Sequence, residues 1–119
     1  MRKSGVVDII FRTRKLESLA NSRSKAQKKL GTVGGDRYLQ RLEEIRASED
    51  LAVLMTLPNA RCHLLKGRRA GQFGLNLEHP YRLIIEPANN PLPTQPDGGI
   101  ATEQVTIVRV IEIKDYHNE

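Results

Sequence analysis

At 119 residues and 13.4 kDa, the chain has the size of one domain and leaves no room for a second core, which excludes a large multi-substrate enzyme. Apolar residues make up 39% and charged residues 28%, with two Phe, three Tyr and no Trp, so the core must be aliphatic and small. The formal charge of +5 and a pI near 9.7 favour an anionic partner such as nucleic acid, although a solvated basic face fits the same numbers. The excess is uneven: residues 1–37 carry +7 and residues 83–119 carry −4. A single cysteine, Cys62, cannot close an internal disulfide, and the three histidines lack the paired spacing of a structural zinc site. No apolar run approaches the ~18 residues of a membrane span, and the stretch after Met1-Arg2-Lys3-Ser4 is broken at Asp8. A reducing, cytoplasmic setting without membrane association is expected.

In chain order, Val6-Val7-Asp8-Ile9-Ile10-Phe11 is short and β-branched and predicts a strand. From Thr13 to Leu30 the apolar positions Leu16, Leu19, Ala20, Ala26 and Leu30 recur at helical spacing between lysines and arginines. This is an amphipathic helix with a break expected near Asn21-Ser22 and a stop at Gly31. Gly34-Gly35 predict a turn and Asp36 the N-cap of a further helix with Leu39, Leu42 and Ile45 as its buried stripe. Ser48 is expected to cap a short helix ended by Leu57-Pro58.

After Pro58 the period changes to two, predicting strands over Arg61 to Lys66, Ala70 to Glu78, Tyr81 to Glu86 and Val105 to Ile113. Leu83 and Ile85 are expected to face inward, with Arg82 and Glu86 outward. The last strand is apolar on both faces, as in the middle of a sheet. Pro87 to Gln104 is a Pro-rich loop without apolar periodicity, expected to lie outside the core. The expected fold is α+β: an N-terminal strand, two or three helices, then about four mostly antiparallel strands with the helices on one face.

Three clusters carry residue types that do chemistry. In Arg61-Cys62-His63-Leu64-Leu65-Lys66-Gly67-Arg68-Arg69, adjacent strand residues point to opposite faces, so Cys62 reads as a core residue rather than a nucleophile paired with His63. His63 and Arg82 read equally well as surface residues or as ligands for an anion. Asp115-Tyr116-His117 is either a polar tail or a titratable cluster at the end of a buried strand, since Asp115 and His117 share parity with Ile111 and Ile113. His79, in a Glu-His-Pro turn, reads as solvated. There is no phosphate loop, nucleophile elbow or zinc-protease helix motif, and neither metal nor cofactor is expected.

Taken together, these segments resemble the RelE/ParE toxin superfamily, and within it the HigB-like plasmid-maintenance toxins of type II toxin-antitoxin systems. The resemblance runs from about Val7 to His117 as a single domain. It rests on Leu19-Ala20-Asn21-Ser22, Lys29-Leu30-Gly31, Arg61 through Gln72, Pro80-Tyr81-Arg82-Leu83-Ile84 and Ile113-Lys114-Asp115-Tyr116-His117. The loop at 87–104 is longer than in compact members. The resemblance implies a RelE-like fold and an endoribonuclease that cuts mRNA in the A site of the 70S ribosome. It also implies a cognate helix-turn-helix antitoxin, through which alone the chain would reach operator DNA. By position it makes His63, Asp115, Tyr116 and His117 catalytic and Lys66 and Arg82 phosphate-contacting; the chemistry of the reaction adds Arg68 and Arg69 as further substrate-binding cations.

The chemistry independently asks for such groups. Attack by the 2′-hydroxyl needs a base, departure of the 5′-oxygen needs an acid, and the phosphorane needs cations. Which histidine is acid and which is base is open at this point. Two other classes remain: a non-enzymatic ParE-like gyrase inhibitor, which would dispense with the acid–base set, and a basic RNA-binding module in which the histidines are incidental.

Overall fold

The computed structural model describes residues 6–116. β1 (Asp8–Phe11) leads into α1 (Arg14–Ala20), α2 (Arg23–Leu30), α3 (Thr32–Ala47) and the one-turn α4 (Leu51–Leu54). β2 (His63–Leu64), β3 (Phe73–Asn76), β4 (Tyr81–Pro87) and β5 (Ile107–Asp115) follow. The expected α+β fold is what forms. One sheet has the order β1-β5-β4-β3-β2, antiparallel except for β1, which lies parallel to β5. β5 therefore has a neighbour on each side, as its two apolar faces required. No helix among the described residues is long and apolar enough to cross a membrane.

The helix break falls where its chemistry puts it. Thr13 caps α1 by accepting from the Leu16 N–H at 3.1 Å, and Ser22 caps α2 by accepting from Lys25 at 3.2 Å. Gly31, at φ +85°, ends α2 as expected.

The next expectation is overturned, because α3 starts at Thr32 and carries Gly34 and Gly35 inside it. A Cβ on Gly35 would sit 2.5 Å from the Gln27 backbone nitrogen and 2.7 Å from the Ala26 carbonyl carbon. The glycine is there because two helix backbones touch, not because the chain turns. Asp36 consequently caps nothing. Its carboxylate accepts from Gln27 Nε2 at 2.8 Å and from Arg23, joining α3 to α2.

Those two hydrogen bonds, that of Gln27 first, hold the Asp36 carboxyl below its ordinary value of 3.8. A lowered folded-state value means the stabilisation is complete above the ordinary value and is lost as the pH falls through the folded one. Asp36→Asn should therefore lower the melting temperature relative to wild type at pH 7, with the gap closing as the pH falls below the ordinary carboxylate value and through the lowered folded one. A gap independent of pH would show that the carboxylate contributes nothing as a charge.

Ser48 is also reassigned. It ends α3, donating from Oγ to the Glu44 carbonyl at 2.8 Å, while Asp50 caps α4 by accepting from Val53 at 3.0 Å. Strands β2 and β3 are shorter than the alternation predicts. Arg61 (φ +48°), Gly67 (φ +66°) and Gly71 (φ +90°) turn the backbone out of extended geometry on either side of β2. The segment Gly67–Arg69 is a single 3₁₀ turn.

The Pro-rich loop is corrected as well, because it is tied to the fold at both ends. Asn89 Oδ1 accepts from the Thr106 and Ile107 N–H groups at 2.9 and 3.0 Å, and Ala101 N–H donates to the Pro93 carbonyl at 3.0 Å. Ala101 is 2% exposed, and Ile100 packs on the core. Short apolar residues without a period can still be buried when side-chain amides supply the missing ladder.

The core lies on one sheet face. Leu16, Leu19, Leu30, Tyr38, Leu42 and Ile45 from the helices meet Phe73, Leu75, Leu83, Ile85, Val108 and Val110. Ile84, although 0% exposed, points to the other face by register. Among the described residues the α-helices contribute to the core on the first face, and the second face holds the candidate site.

Candidate active-site groove

A bulge in β5 decides which residues reach the open face. Ile84 pairs with Glu112 while Ile85 pairs with Val110, so Ile111 is an extra residue and the alternation flips beyond it. Glu112, Lys114 and then Tyr116 consequently lie on the open side with Arg82 and Ile84. Asp115, opposite Tyr81, falls on the helix side and is exposed. Asp115 thus keeps the inward parity it shares with Ile113, whereas Val110, expected opposite Ile113, lies on the same face because of the bulge. Sequence alternation alone cannot show an inserted residue.

On this face a groove of about 330 Å³ is lined by His63, Leu65, Gly74, His79, Arg82, Ile84 and Tyr116, a size within the range of small-ligand sites. Ile84 and Gly74, neighbours across β3 and β4, are buried at its base. Gly74 also pairs with His63 across β2 and β3. A Cβ there would stand 3.3 Å from Leu65 Cδ2 and 3.7 Å from His63 Cε1. Hydrogen at this position lets the imidazole and Leu65 lie close against β3.

The His63 ring is oriented by its own chain. Nδ1 lies 2.8 Å from the Arg61 carbonyl oxygen. A carbonyl only accepts, so Nδ1 carries the proton and Nε2 of the neutral ring is left with its lone pair. Arg61 is the one non-glycine residue with positive φ among the described residues, and its carbonyl is the one that the imidazole contacts.

Arg82 is half-buried. Its Nη1 donates to the Tyr81 carbonyl at 3.2 Å, which uses one of five N–H donors. Its guanidinium carbon lies 5.9 Å from the Tyr116 ring centroid, and Lys114 Nζ lies at the same distance. Two cations thus lie within about 6 Å of the tyrosine ring, the outer limit of a cation–π contact.

The predicted site residues are thus only partly assembled. His63, Arg82 and Tyr116 share the groove, whereas Lys66 and Arg68 are exposed outside its lining, before and within the 3₁₀ turn. Arg69 is engaged elsewhere, donating to Glu112 at 2.8 Å and to Gln72 at 2.9 Å. His117 lies outside the described residues. Cys62 is buried, which pushes its thiol up to about 12 and makes it a poor nucleophile, in keeping with the core reading.

His79 is the residue that sequence reasoning missed. It lines the groove from the turn between β3 and β4, three positions before Arg82. The signal available was that a turn leading into an outward arginine must project onto the arginine's face.

No family model matches the chain, and no curated protein matches it either.

Proposed function

We propose that the chain is an RNA-cleaving toxin of the HigB-like kind, acting on mRNA in the ribosomal A site and restrained by a helix-turn-helix antitoxin. The observation that carries the reading is His63, with Nε2 left as acceptor, in one groove with Arg82 and Tyr116. In the reaction, His63 Nε2 takes the proton of a ribose 2′-hydroxyl. The 2′-oxygen bonds to phosphorus, the bond to the 5′-oxygen breaks, and an acid protonates that oxygen. The products are a 2′,3′-cyclic phosphate and a 5′-hydroxyl. Arg82 stabilises the charge gathering on the phosphorane, and Tyr116, with two cations near its ring, offers an aromatic surface on which a base can stack. Lys66 and Arg68, outside the groove, suit contacts to the flanking phosphates of a long RNA. The resemblance makes the terminal Asp115, Tyr116 and His117 catalytic as well and leaves open which group is the acid.

Expression of the wild-type protein without an antitoxin is expected to stop growth and protein synthesis within minutes, with mRNA cut within reading frames. Normal growth while soluble, folded protein accumulates would overturn the reading. Arrest of DNA replication with intact mRNA would replace it with gyrase inhibition.

A further inference from the structure

We infer that His79 is the general acid of this groove, donating the proton to the departing 5′-oxygen. The inference rests on the ribonuclease reading above and adds a residue which that reading does not contain.

Two imidazoles from separate segments line the same groove as Arg82. His63 comes from β2, opposite Gly74, and His79 from the turn just past the Asn76–Arg82 pair. Cleavage needs one group to remove a proton and another to supply one, on different oxygens of the same phosphorus, with a cation between the two events. The arrangement offers His63, Arg82 and His79 in that capacity.

His79 is suited to the donor's part by its surroundings. It is exposed, and among the described residues no hydrogen bond or ion pair engages its ring. A proton on either nitrogen is therefore open to substrate. His63 has one nitrogen committed to Arg61 and is the better acceptor at the other.

The turn is held in place by its backbone. Tyr81 N–H donates to the Glu78 carbonyl at 2.9 Å, and Tyr116 N–H donates to the Pro80 carbonyl at 2.9 Å. The second bond fixes His79 relative to the same Tyr116 that lines the groove. Electrons and atoms balance: the proton lost from the 2′-hydroxyl goes to His63, and the one gained by the 5′-oxygen comes from His79. Exchange with water then restores both.

The test uses a leaving group that needs no acid. An mRNA bearing a sulfur in place of the bridging 5′-oxygen at the linkage cut by wild type, bound to programmed 70S ribosomes, expels a thiolate unaided. His79→Ala and His79→Asn should each slow single-turnover cleavage of the ordinary mRNA by about 10²–10³-fold, yet cut the sulfur substrate within a few-fold of wild type. His63→Ala should be slow on both.

His79 variants that cut the ordinary mRNA within a few-fold of wild type would overturn the assignment, as would variants equally slow on both substrates. Sulfur rescue of His117→Ala with no defect in His79→Ala would give the proton to His117 instead. A wild-type protein that cuts neither substrate would overturn the ribonuclease reading itself, which is a distinguishable result. Because His79 is exposed, thermal unfolding of both variants should match wild type.

Discussion

His63→Ala is expected to slow mRNA cleavage on programmed ribosomes by about 10²–10⁴-fold, equivalent to about 3–5 kcal/mol in the barrier. The fold should barely notice. His63 is exposed, on a two-residue edge strand, and among the described residues its ring bonds only to the carbonyl of exposed Arg61, which water can satisfy once the ring is gone. A surface truncation of this sort typically changes stability by about ±0.5 kcal/mol. Single-turnover cleavage alongside thermal unfolding separates the two effects. A variant cutting within a few-fold of wild type would remove His63 from the chemistry, and one that unfolds would make it structural. Gly74→Ala should act on the same site: its methyl would crowd Leu65 Cδ2 at 3.3 Å and come into ordinary contact with the His63 ring at 3.7 Å, so cleavage should fall while ribosome binding holds.

The largest expected loss of stability lies elsewhere, at Arg41. Its side chain is 4% exposed and spans three segments. Nε donates to the Asn76 carbonyl at 2.7 Å, Nη2 to the Asn59 carbonyl at 2.9 Å, and Nη1 to Glu44 at 3.2 Å. Burial pulls the guanidinium's pKa down and Glu44 opposes the shift. Arg41→Ala removes all of these donors at once and leaves the carbonyls and carboxylate facing a cavity. The expected cost is about 3–5 kcal/mol, the range for breaking a buried charged network from one side. Asn76 is the end of β3, where the chain enters the turn that carries His79. Denaturant unfolding should show the loss. A change under about 1 kcal/mol would mean that water replaces the arginine without penalty.

The sheet and most of the helices were legible because their signals are local. The spacing of Leu16, Leu19, Ala26 and Leu30 describes the buried side of α1 and α2, and Ser22 announces the break between them through a side chain that can cap. Gly34-Gly35 misled because glycine signals backbone freedom and close approach with the same letter, and only the position of Gln27 tells them apart. Arg41 was invisible for a related reason, since a charged residue in a helix is buried only when distant carbonyls converge on it.

The candidate groove holds His63, Arg82 and Tyr116, which a sequence motif already singles out. It was not legible at His79, Gly74 or Ile84. Their placement depends on cross-strand register, just as on β5 the bulge at Ile111 puts Val110 and Ile113 on one face where simple alternation separates them. Ile84 shows the limit well: it alternates with Leu83 and Ile85, so alternation predicts exposure, yet it forms the floor of a groove and is buried.

The measurement that bears most directly on the account is the chemistry of the cut ends. Wild-type protein is added to 70S ribosomes holding an mRNA, and the products are compared with those from the same mRNA carrying a single 2′-deoxynucleotide just 5′ of the cut linkage. Attack by the 2′-hydroxyl predicts a 2′,3′-cyclic phosphate and a 5′-hydroxyl on the ordinary mRNA, and no cleavage at the deoxy position. Products with a 5′-phosphate, or undiminished cleavage at the deoxy linkage, would contradict it.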